Sequence, residues 1–352
     1  MKNMSQYKDR LEKIEEALYE VMPPSANDDW MAGMTSSRET EVPIKMIDTF
    51  HAPGVELLSR GGKRWRPLVM VLTNESAGGQ ADEIYPLTPL VELAHNGSLI
   101  VDDIEDKSVE RRGKPAVHLL YGEDLSINAG NLMYFNATGL VARLDKPAEL
   151  RFSILDSYCE NLRRLHFGQG LDIQWHNDHD QIPAIDVYLQ MCRFKTGALA
   201  RFAAQVGVLV AGGSRPNADT AGDIWERIGV GFQILDDVKN LTTGNPGKQR
   251  GDDVVEGKKS LPVIMYYNSH KEEFPVLARL FDKAGDLGMP AGVSCVEEAI
   301  SILEKSGSIK AAGEHALSMM NEALDDLKNL FPQSEALDLQ QEIVESFIRK
   351  ML

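Results

Sequence analysis

Apolar residues recur with a helical period along most of the chain. In the first such segment, "YKDRLEKIEEALYEVM", Leu11, Ile14, Leu18 and Val21 fall on one face and charged residues fall elsewhere, as in an amphipathic helix. Comparable patterns predict helices over residues 43–60, 67–77, 86–106, 123–143, 147–170, 184–212, 218–241, 259–268, 293–306, 308–330 and 334–351. No run alternates as a half-buried strand would, so the pattern predicts an all-α protein.

The linkers between these segments suggest how the chain is divided. Residues 23–42, "PPSANDDWMAGMTSSRETEV", are rich in helix breakers and are expected to form a connection. A chain of 352 residues exceeds the usual size of one core, so two domains are an alternative. Because the later linkers are short and the composition does not change, we predict a helix and connection over 1–42, packed on one helical domain over 43–352.

The overall charge narrows the possible partners. Acidic residues outnumber basic residues by 53 to 37, which gives a net charge of −16. Such a charge opposes general binding to nucleic acid, so no nucleic-acid partner is predicted. A basic cluster in this chain is instead expected to be a dedicated anion site.

The cysteines and the apolar runs bear on the compartment. The three cysteines, Cys159, Cys192 and Cys295, are odd in number and lack metal-binding spacing, which favours reduced thiols. The N-terminal segment has no apolar signal core, and the longest apolar stretch, near 202–211, is too short to cross a bilayer. We therefore predict a cytoplasmic protein without a transmembrane segment.

A dense acidic cluster lies in "LIVDDIEDKSVERRGKP", residues 99–115. Asp102 and Asp106 are four residues apart and share a helix face, with Asp103 and Glu105 beside them. Crowded carboxylates repel one another unless water or cations relieve them. A solvated helix end is one interpretation, but the apolar run that leads into the cluster favours a position at the mouth of an interior.

A second Asp pair follows a similar apolar run. "GFQILDDVKN", residues 231–240, resembles "GSLIVDDIED", residues 97–106, with Asn240 in the last position of the motif. Two such helix ends facing each other across a cavity would form an oxygen-lined cation site. Magnesium suits such a site because it takes few carboxylates, keeps water and accepts phosphate oxygens.

Several basic residues are consistent with a phosphate-bearing ligand. In "GGKRWRP", residues 61–67, two glycines that allow a close approach of backbone amides precede a probable helix start. Each cation could singly be a surface charge, which is the interpretation preferred for Arg64 and Lys259. Together they suit two diphosphates, one bound through magnesium and one held directly. The cations are Lys63, Arg64, Arg66, Arg111, Arg112, Lys195, Lys248, Lys258 and Lys259.

These motifs together resemble one known family. "GGKRWRP", "HNGSLIVDDIEDKSVERRGKP", "FKTGAL", "GFQILDDVKN" and "GKKSLP" occur in this order over residues 61–262. They resemble the trans-isoprenyl diphosphate synthases, the polyprenyl synthetase family. The resemblance implies the isoprenoid synthase type I fold, a single-domain antiparallel helical bundle around a deep central cavity, usually as a homodimer. It also implies a prenyltransferase that condenses isopentenyl diphosphate with an allylic diphosphate by ionisation, condensation and elimination.

The resemblance assigns roles to individual residues. Asp102 and Asp106 would bind two Mg²⁺ ions and Asp236 a third, with Asp103 and Asp237 in support. Asn240 departs from the commoner aspartate, which leaves its role open. The residues assigned to catalysis are Asp102, Asp103, Asp106, Arg111, Lys195, Thr196, Gln233, Asp236 and Lys258.

The basic residues divide between two substrates under this resemblance. Thr196 and Gln233 would point oxygen dipoles at the transient allylic cation. The allylic diphosphate would contact Arg111, Lys195, Lys248 and Lys258, and isopentenyl diphosphate would contact Gly62, Lys63, Arg66, His95 and Arg112. A lone histidine in an apolar helix is often a core residue, but His95 matches a family substrate contact. In "HFGQGLDIQW", Gln169 and Asp172 either line the cavity or make local polar bonds near a helix kink.

Product length is expected to depend on what blocks the growing chain. Gly97 and Ser98, five and four residues before Asp102, are small and predict an open path there. Tyr134, Phe135 and His166 are the predicted floor, with ordinary aromatic core packing as the alternative. "HNGSLIVDDIED", "MYF" and "LHFGQGLDIQW" resemble geranylgeranyl diphosphate synthases, so a C20 product is predicted.

Alternatives remain at two levels. The product could be farnesyl diphosphate (C15) or a longer polyprenyl diphosphate. The chain could also be a class I terpene cyclase or a non-catalytic synthase subunit, although the second diphosphate site opposes the first of these and the complete metal motifs oppose the second.

Overall fold

The computed structural model describes residues 4–35, 42–178, 181–244 and 250–349. In these ranges the only strands are β1 (Glu110–Arg111) and β2 (Lys114–Pro115), which pair as an antiparallel hairpin. A 3₁₀ turn occupies Tyr85–Leu87, and a π-helical segment occupies Arg193–Gly197. The α-helices are α1 (Met4–Val21), α2 (Asp28–Thr35), α3 (Ile44–Ser59), α4 (Trp65–Ser76), α5 (Ala81–Ile84), α6 (Thr88–Glu105), α7 (Val117–Tyr121), α8 (Glu123–Asn136), α9 (Thr138–Arg143), α10 (Ala148–Asn177), α11 (Ile185–Cys192), α12 (Ala198–Val210), α13 (Arg215–Leu241), α14 (Asp252–Val255), α15 (Leu261–Ser269), α16 (Phe274–Leu287), α17 (Val293–Lys305), α18 (Ser308–Leu330) and α19 (Glu335–Arg349).

The all-α prediction is confirmed, and most predicted helices agree with observed ones to within a few residues. Five helices had no prediction, and three of them, α5, α7 and α14, are only four or five residues long. Of the longer two, α2 lies within the connection assigned to 23–42, and α16 carries apolar residues Leu277, Leu280 and Phe281 with helical spacing. None of the helices within the described ranges is both long enough and apolar enough to cross a membrane.

The chain forms two compact units. The first comprises Met1–Glu160, Leu199–Gly222 and Lys328–Ile343. Within it, α6 packs against α8, and α1, α3 and α4 also contact α6. Leu90, Leu93 and Ile100 form the buried side of α6, so this helix belongs to the core of the unit along most of its length.

The second unit comprises Asn161–Ala198, Asp223–Leu327 and Val344–Leu352. One of its apolar clusters joins the end of α13 to α14–α18 through Leu241, Val263, Leu280, Ile300 and Ile309. The division predicted from the sequence, 1–42 and 43–352, stays a prediction.

Candidate active site

The C-terminal half of α6 has a buried side and a partly exposed side. Asn96, Gly97, Ile100 and Asp103 are buried. Partly exposed residues spaced three or four positions apart lie along the other side, and they include His95, Ser98, Leu99, Asp102 and Asp106. The two aspartates predicted to bind metal therefore share an accessible helix face with His95 and Ser98.

Asp103 has a different environment from its neighbours. It is fully buried, and its carboxylate accepts hydrogen bonds from Arg111 Nε at 2.8 and 3.1 Å and from Arg111 Nη2. Asp102 Oδ2 lies 3.6 Å from Arg111 Nη2. Burial alone would lower the pKa of Arg111, but the hydrogen bonds and charge of Asp103 raise it above its usual value. Arg111 is thus a fixed cation beside the first acidic motif, which agrees with a supporting role for Asp103.

The β1–β2 hairpin carries the paired arginines and is attached to the end of α3. Arg60 Nη1 donates to the carbonyl of Arg111 at 2.9 Å. Arg112 has a left-handed backbone with φ of 56°, and its Nη1 donates to the carbonyls of Leu57, at 3.0 Å, and Gly61. The guanidinium groups of Arg111 and Arg112 therefore form hydrogen bonds with different partners, although the two residues are adjacent in sequence.

The segment "GGKRWRP" leads into α4 through an irregular backbone. Gly61, Gly62 and Arg64 have φ values of 74°, 155° and 47°, and α4 begins at Trp65. Lys63 is exposed and Arg66 is buried. Both cations therefore lie in sequence at the N-terminal end of α4, and a helix N-terminus favours an anion.

Arg66, near the start of α4, contacts His95 of α6. Arg66 Nη1 lies 3.2 Å from His95 Nε2. Arg66 Nε is buried and has no hydrogen-bond partner among the described residues. Burial lowers the pKa of Arg66 to about 10, although Glu92 opposes this shift. Burial and the nearby Arg66 and Arg112 hold the pKa of His95 well below its usual value, so His95 is neutral at pH 7 beside concentrated positive charge.

Two residues that the sequence analysis interpreted as surface charges, Arg64 and Lys259, are in fact buried, so that interpretation was wrong. Arg64, interpreted as a surface charge, is only 3% exposed. Its guanidinium bonds Glu15 Oε1 and Glu92 Oε1, both at 2.7 Å. Lys259, given the same interpretation, is 8% exposed and its Nζ donates to the carbonyl of Gly257 at 3.1 Å. The carboxylates that pair with Arg64 lie on distant helices, which a linear pattern does not reveal.

In the second unit, Lys195 lies in the π-helical segment and is held by α10. Its Nζ is 2.5 Å from Asp172 Oδ2, and His176 Nε2 is 3.2 Å from Asp172 Oδ1. Burial alone would raise the pKa of Asp172, but Lys195 and His176 hold it well below its usual range. A Cβ atom on Gly168 would overlap the backbone of Lys195. The glycine therefore permits the close approach that lets Asp172 reach Lys195, and π-helical segments are frequent at functional sites.

The second acidic motif also has one accessible and one buried aspartate. Asp236 is exposed, whereas Asp237 is buried and accepts hydrogen bonds from Tyr188 Oη at 2.7 Å and Gln233 Nε2 at 2.8 Å. Burial and the charge of Asp253 raise the pKa of Asp237 to about 8. Sequence reasoning missed Tyr188, because nothing in its spacing identifies it as a partner of an aspartate 49 positions later.

Both the oxygen and the nitrogen of the Gln233 side-chain amide form hydrogen bonds. Its Oε1 accepts a hydrogen bond from Thr196 Oγ1 at 2.7 Å, while its Nε2 donates to Asp237. The structure therefore brings together three predicted site residues, Thr196, Gln233 and Asp237. The amide oxygen of Gln233 has a protein partner here, so its predicted role toward an allylic cation stays a prediction.

Asn240 and Lys258 lie near the loop that follows α13. Asn240 is buried, and its Oδ1 accepts a hydrogen bond from the backbone N–H of Asp253 at 3.3 Å. A carboxylate oxygen could accept the same bond, so this contact does not explain why an amide stands where the motif usually has a third carboxylate. Lys258 Nζ lies 2.6 Å from Glu256 Oε2 and 3.4 Å from Asp253 Oδ1. The predicted substrate contact Lys248 lies outside the described residues.

The predicted chain-length residues have contrasting environments. Tyr134 is 5% exposed and Phe135 is 69% exposed, although they are adjacent on α8. Gly97 packs against α8 rather than on the exposed face of α6, whereas Ser98 lies on that face. His166 is exposed on α10. The assignments stay predictions, but Tyr134 alone of the two aromatic residues belongs to the interior of the first unit.

The acidic residues suit magnesium better than a metal that needs many protein ligands. Among the described residues, no three His, Cys, Asp or Glu side chains cluster as a metal site would require. Asp102 and Asp106 nevertheless present two accessible carboxylates on one helix face. Magnesium is commonly held by one or two carboxylates together with substrate phosphates and water, so this set fits the predicted ion.

The observed features are those of an all-α protein with two accessible aspartates on one helix face and a separate cationic segment before α4. Comparison with known proteins gives the same class. The family model described as polyprenyl synthetase matches residues 47–288. The short chain isoprenyl diphosphate synthase of Methanocaldococcus jannaschii is 35% identical over 272 residues, 76% of this chain and 80% of that protein.

Two further similarities agree. The geranylgeranyl diphosphate synthase of Methanosarcina mazei is 31% identical over 288 residues, 81% of this chain and 85% of that protein. The crystal structure of geranylgeranyl pyrophosphate synthetase from Pyrococcus horikoshii matches with a TM-score of 0.82 at 28% identity, covering 98% of this chain and 97% of that one. The chain belongs to the polyprenyl synthetase family. The predictions of this family, of the isoprenoid synthase fold and of a prenyltransferase enzyme are therefore confirmed.

Proposed function

We propose that this chain is a magnesium-dependent geranylgeranyl diphosphate synthase that condenses isopentenyl diphosphate with allylic diphosphates. One observation carries the proposal. The first unit contains both an accessible pair of aspartates, Asp102 and Asp106, and a separate cationic group around the start of α4, formed by Lys63, Arg66 and Arg112. A head-to-tail synthase needs two such groups because it binds two diphosphates at once.

The allylic diphosphate is the substrate assigned to the acidic motifs. Asp102, Asp106 and Asp236 would hold three Mg²⁺ ions, a number that comes from the family resemblance. When bound, these ions neutralise and orient the diphosphate leaving group. Further cations of the chain act on the same leaving group, and they are Arg111, Lys195, Lys248 and Lys258.

The reaction follows from how these residues distribute charge. The C–O bond of the allylic diphosphate breaks, and the bonding electrons leave with pyrophosphate. Arg111 stabilises this departing charge because Asp103 holds its guanidinium in place before the reaction, so little reorganisation is needed. The double bond of isopentenyl diphosphate then attacks the allylic cation, and the released pyrophosphate takes the proton that is lost. Thr196 and Gln233 are the polar residues assigned to the cation.

Isopentenyl diphosphate is held without metal in this proposal. Gly62, Lys63, Arg66, His95 and Arg112 are its contacts. The neutral state of His95 supports this assignment, because a neutral imidazole can donate to a phosphate oxygen without adding another desolvated charge. The buried Arg66 Nε, which has no hydrogen-bond partner within the described ranges, supports it too, because a buried donor favours an acceptor.

The proposed assembly is a homodimer in the cytoplasm. Ile127 and Phe135 lie on one exposed face of α8, and they are 41% and 69% exposed. Phe152 on α10 is 71% exposed. Exposed apolar residues in such number favour burial against a second copy of the chain.

Product analysis with the purified chain tests the proposal. The protein is incubated with magnesium, isopentenyl diphosphate and each allylic primer from C5 to C15, and product lengths are determined by mass spectrometry. We expect products that require both substrates, end at C20 and disappear with EDTA. Products formed from the primer alone would indicate a terpene cyclase, and absence of turnover would indicate a non-catalytic subunit. A principal product other than C20 would overturn only the length assignment.

A further inference from the structure

We propose that Arg64 is a positioning residue for the isopentenyl diphosphate subsite, and that Glu15 of the N-terminal helix acts on that subsite through Arg64. This inference rests on the proposed function. Arg64 does not reach the substrate in this proposal. It holds the backbone of "GGKRWRP" in the conformation that presents Gly62, Lys63 and Arg66 to the diphosphate.

The backbone of Arg64 is the first argument. Its φ of 47° lies in the left-handed region, which a side chain with a Cβ atom rarely adopts. Such a conformation persists only where surrounding contacts hold it, and it is frequent at ligand-binding segments. Arg64 is also the residue immediately before α4, so this conformation sets the direction from which the chain enters the helix.

The side chain of Arg64 supplies the contacts that hold this backbone. Its Nε donates to Glu15 of α1 at 2.7 Å, its Nη1 to Glu92 of α6 at 2.7 Å, and its Nη2 to the carbonyl of Leu58 in α3 at 2.9 Å. One guanidinium therefore joins three helices of the first unit to the segment before α4. The carboxylate of Glu92 also accepts a hydrogen bond from Asn96 at 2.9 Å, which fixes it further.

The energetics favour a positioning role over a simple gain in stability. The side chains of Arg64 and Glu92 are 2% and 3% exposed. A buried ion pair loses much of its attraction to desolvation, so it contributes little net stability compared with apolar residues of similar volume. In some proteins a buried pair defines a particular conformation, and the segment defined here is the one assigned to substrate.

The guanidinium of Arg64 lies directly behind the diphosphate contacts. A Cβ atom on Gly62 would lie 3.4 Å from Arg64 Nη1 and 3.3 Å from Arg112 Nη2. Gly62 thus packs between the two guanidinium groups. If Arg64 loses its partners, Gly62 and Lys63 lose their support and the spacing between Arg66 and the backbone N–H groups changes. The acidic motif at Asp102 is untouched, so only one substrate should be affected.

Steady-state kinetics of Arg64→Gln, Arg64→Lys and Glu15→Gln test this role. For Arg64→Gln we expect the KM for isopentenyl diphosphate to rise about tenfold, the scale of losing one charged buried hydrogen bond. The kcat and the KM for the allylic substrate should stay within about twofold of wild type, by the same scale. Arg64→Lys keeps the charge but not the three-way geometry, so it should restore only part of the affinity.

Glu15→Gln is the variant that remains informative if Arg64 variants fail to fold, because Glu15 is 35% exposed and its loss leaves Arg64 paired with Glu92. We expect a KM for isopentenyl diphosphate about threefold above wild type. The double variant that combines Arg64→Gln with Glu15→Gln should have a KM for isopentenyl diphosphate no higher than that of Arg64→Gln alone. The reason is that both changes act through one contact. Lys13→Ala is the matched control, since Lys13 lies on the same helix and pairs with Asp82 at the surface at 2.8 Å. It should leave all kinetic constants unchanged.

The outcomes separate this inference from the proposed function. A wild-type enzyme that does not consume isopentenyl diphosphate would overturn the proposed function and, with it, the role of Arg64. A wild-type enzyme that depends on isopentenyl diphosphate, together with folded Arg64→Gln and Glu15→Gln variants of unchanged KM, would overturn the role of Arg64 alone. Equal increases in the KM values of both substrates would also overturn it, because they would indicate a general structural effect.

Discussion

The carbonyl oxygen of Gly130 lies 2.6 Å from the position that a Cβ atom on Gly97 would occupy. Helices α6 and α8 therefore cross at two glycines, since a Cβ atom on Gly130 would in turn lie 3.0 Å from the carbonyl oxygen of Gly97. The sequence suggested that Gly97 keeps a product path open. The geometry gives Gly97 a packing role, because its lack of a side chain lets the two helix backbones touch.

Gly97→Ala should destabilise the protein, because the added methyl group meets backbone rather than a flexible side chain. We expect a loss of about 1–3 kcal/mol, typical of overpacking a dense core. Thermal unfolding measured against Ser98→Ala, a change on the accessible face of the same helix, is the test. An unchanged melting temperature with a shorter product would support the path interpretation instead.

The accessible aspartates should dominate catalysis. Asp102→Ala and Asp236→Ala are each expected to lower kcat by roughly 10²-fold or more, because each removes a charge that organises the leaving group. Glu105→Ala is the matched control, since Glu105 is an exposed carboxylate beside the first motif, and it should retain most of the activity. Near-normal rates for either aspartate variant at saturating magnesium would contradict the metal assignment.

The paired arginines should affect different substrates. Arg111 is bonded to Asp103 beside the acidic motif, whereas Arg112 donates to Leu57 and Gly61 next to the segment before α4. Arg111→Ala should therefore raise mainly the KM for the allylic substrate, and Arg112→Ala mainly that for isopentenyl diphosphate. The KM of each substrate is measured with the other held at saturation. If both variants changed both constants equally, the division would be wrong.

The sequence allowed prediction of features that depend on local pattern. The helical period predicted α6 to within two residues of its observed ends, and the i, i+4 spacing predicted that Asp102 and Asp106 share one face. The family resemblance gave Asp103 a supporting role, but the pattern of adjacent carboxylates did not show that Asp103 is the one buried against Arg111. Identifying the buried member required the hairpin contact, which is a tertiary property.

Other features depend on contacts between distant segments and were missed for that reason. The burial of Arg64 depends on Glu15 and Glu92, which are 49 and 28 residues away. Tyr188 reaches Asp237 across 49 residues. A charged or phenolic side chain has no periodic signature of its own, so its partner becomes visible only when the helices are packed.

Protonation of Asp172 should make the protein less stable in acid. Its folded pKa is lower than the usual 3.8 because Lys195 and His176 outweigh the effect of burial. A depressed folded pKa contributes stability above the unfolded pKa, and this contribution is lost as the pH falls below about 4. Asp172→Asn should thus cost about 3 kcal/mol at pH 7, the scale of removing one partner of a buried ion pair.

The difference in melting temperature between wild type and Asp172→Asn should narrow as the pH is lowered from 5 to about 3. Asp178→Asn is a suitable control on the neighbouring chain segment, and it should show a smaller difference at pH 7. A difference that stays constant across this range would show that Asp172 does not supply the acid dependence.

Product length should depend on Tyr134 and not on Phe135. The Tyr134 ring lies beside Gly97, with its Cε1 3.4 Å from the position of a Cβ atom there, and it is only 5% exposed. Phe135 points out of the first unit at 69% exposure. Tyr134→Ala should therefore yield products at least one C5 unit longer than wild type, whereas Phe135→Ala should keep the wild-type length and weaken self-association.

Tyr134→Phe provides the matched control for this prediction, because it retains the ring and removes only the hydroxyl. It should give the wild-type product. Removing a large buried side chain can cost about 3–5 kcal/mol, so circular dichroism must first establish that Tyr134→Ala is folded at the assay temperature. A folded Tyr134→Ala variant that still stops at the wild-type length would place the floor at another residue, and a longer product from Phe135→Ala would show that this exposed side chain limits the chain in the assembled enzyme.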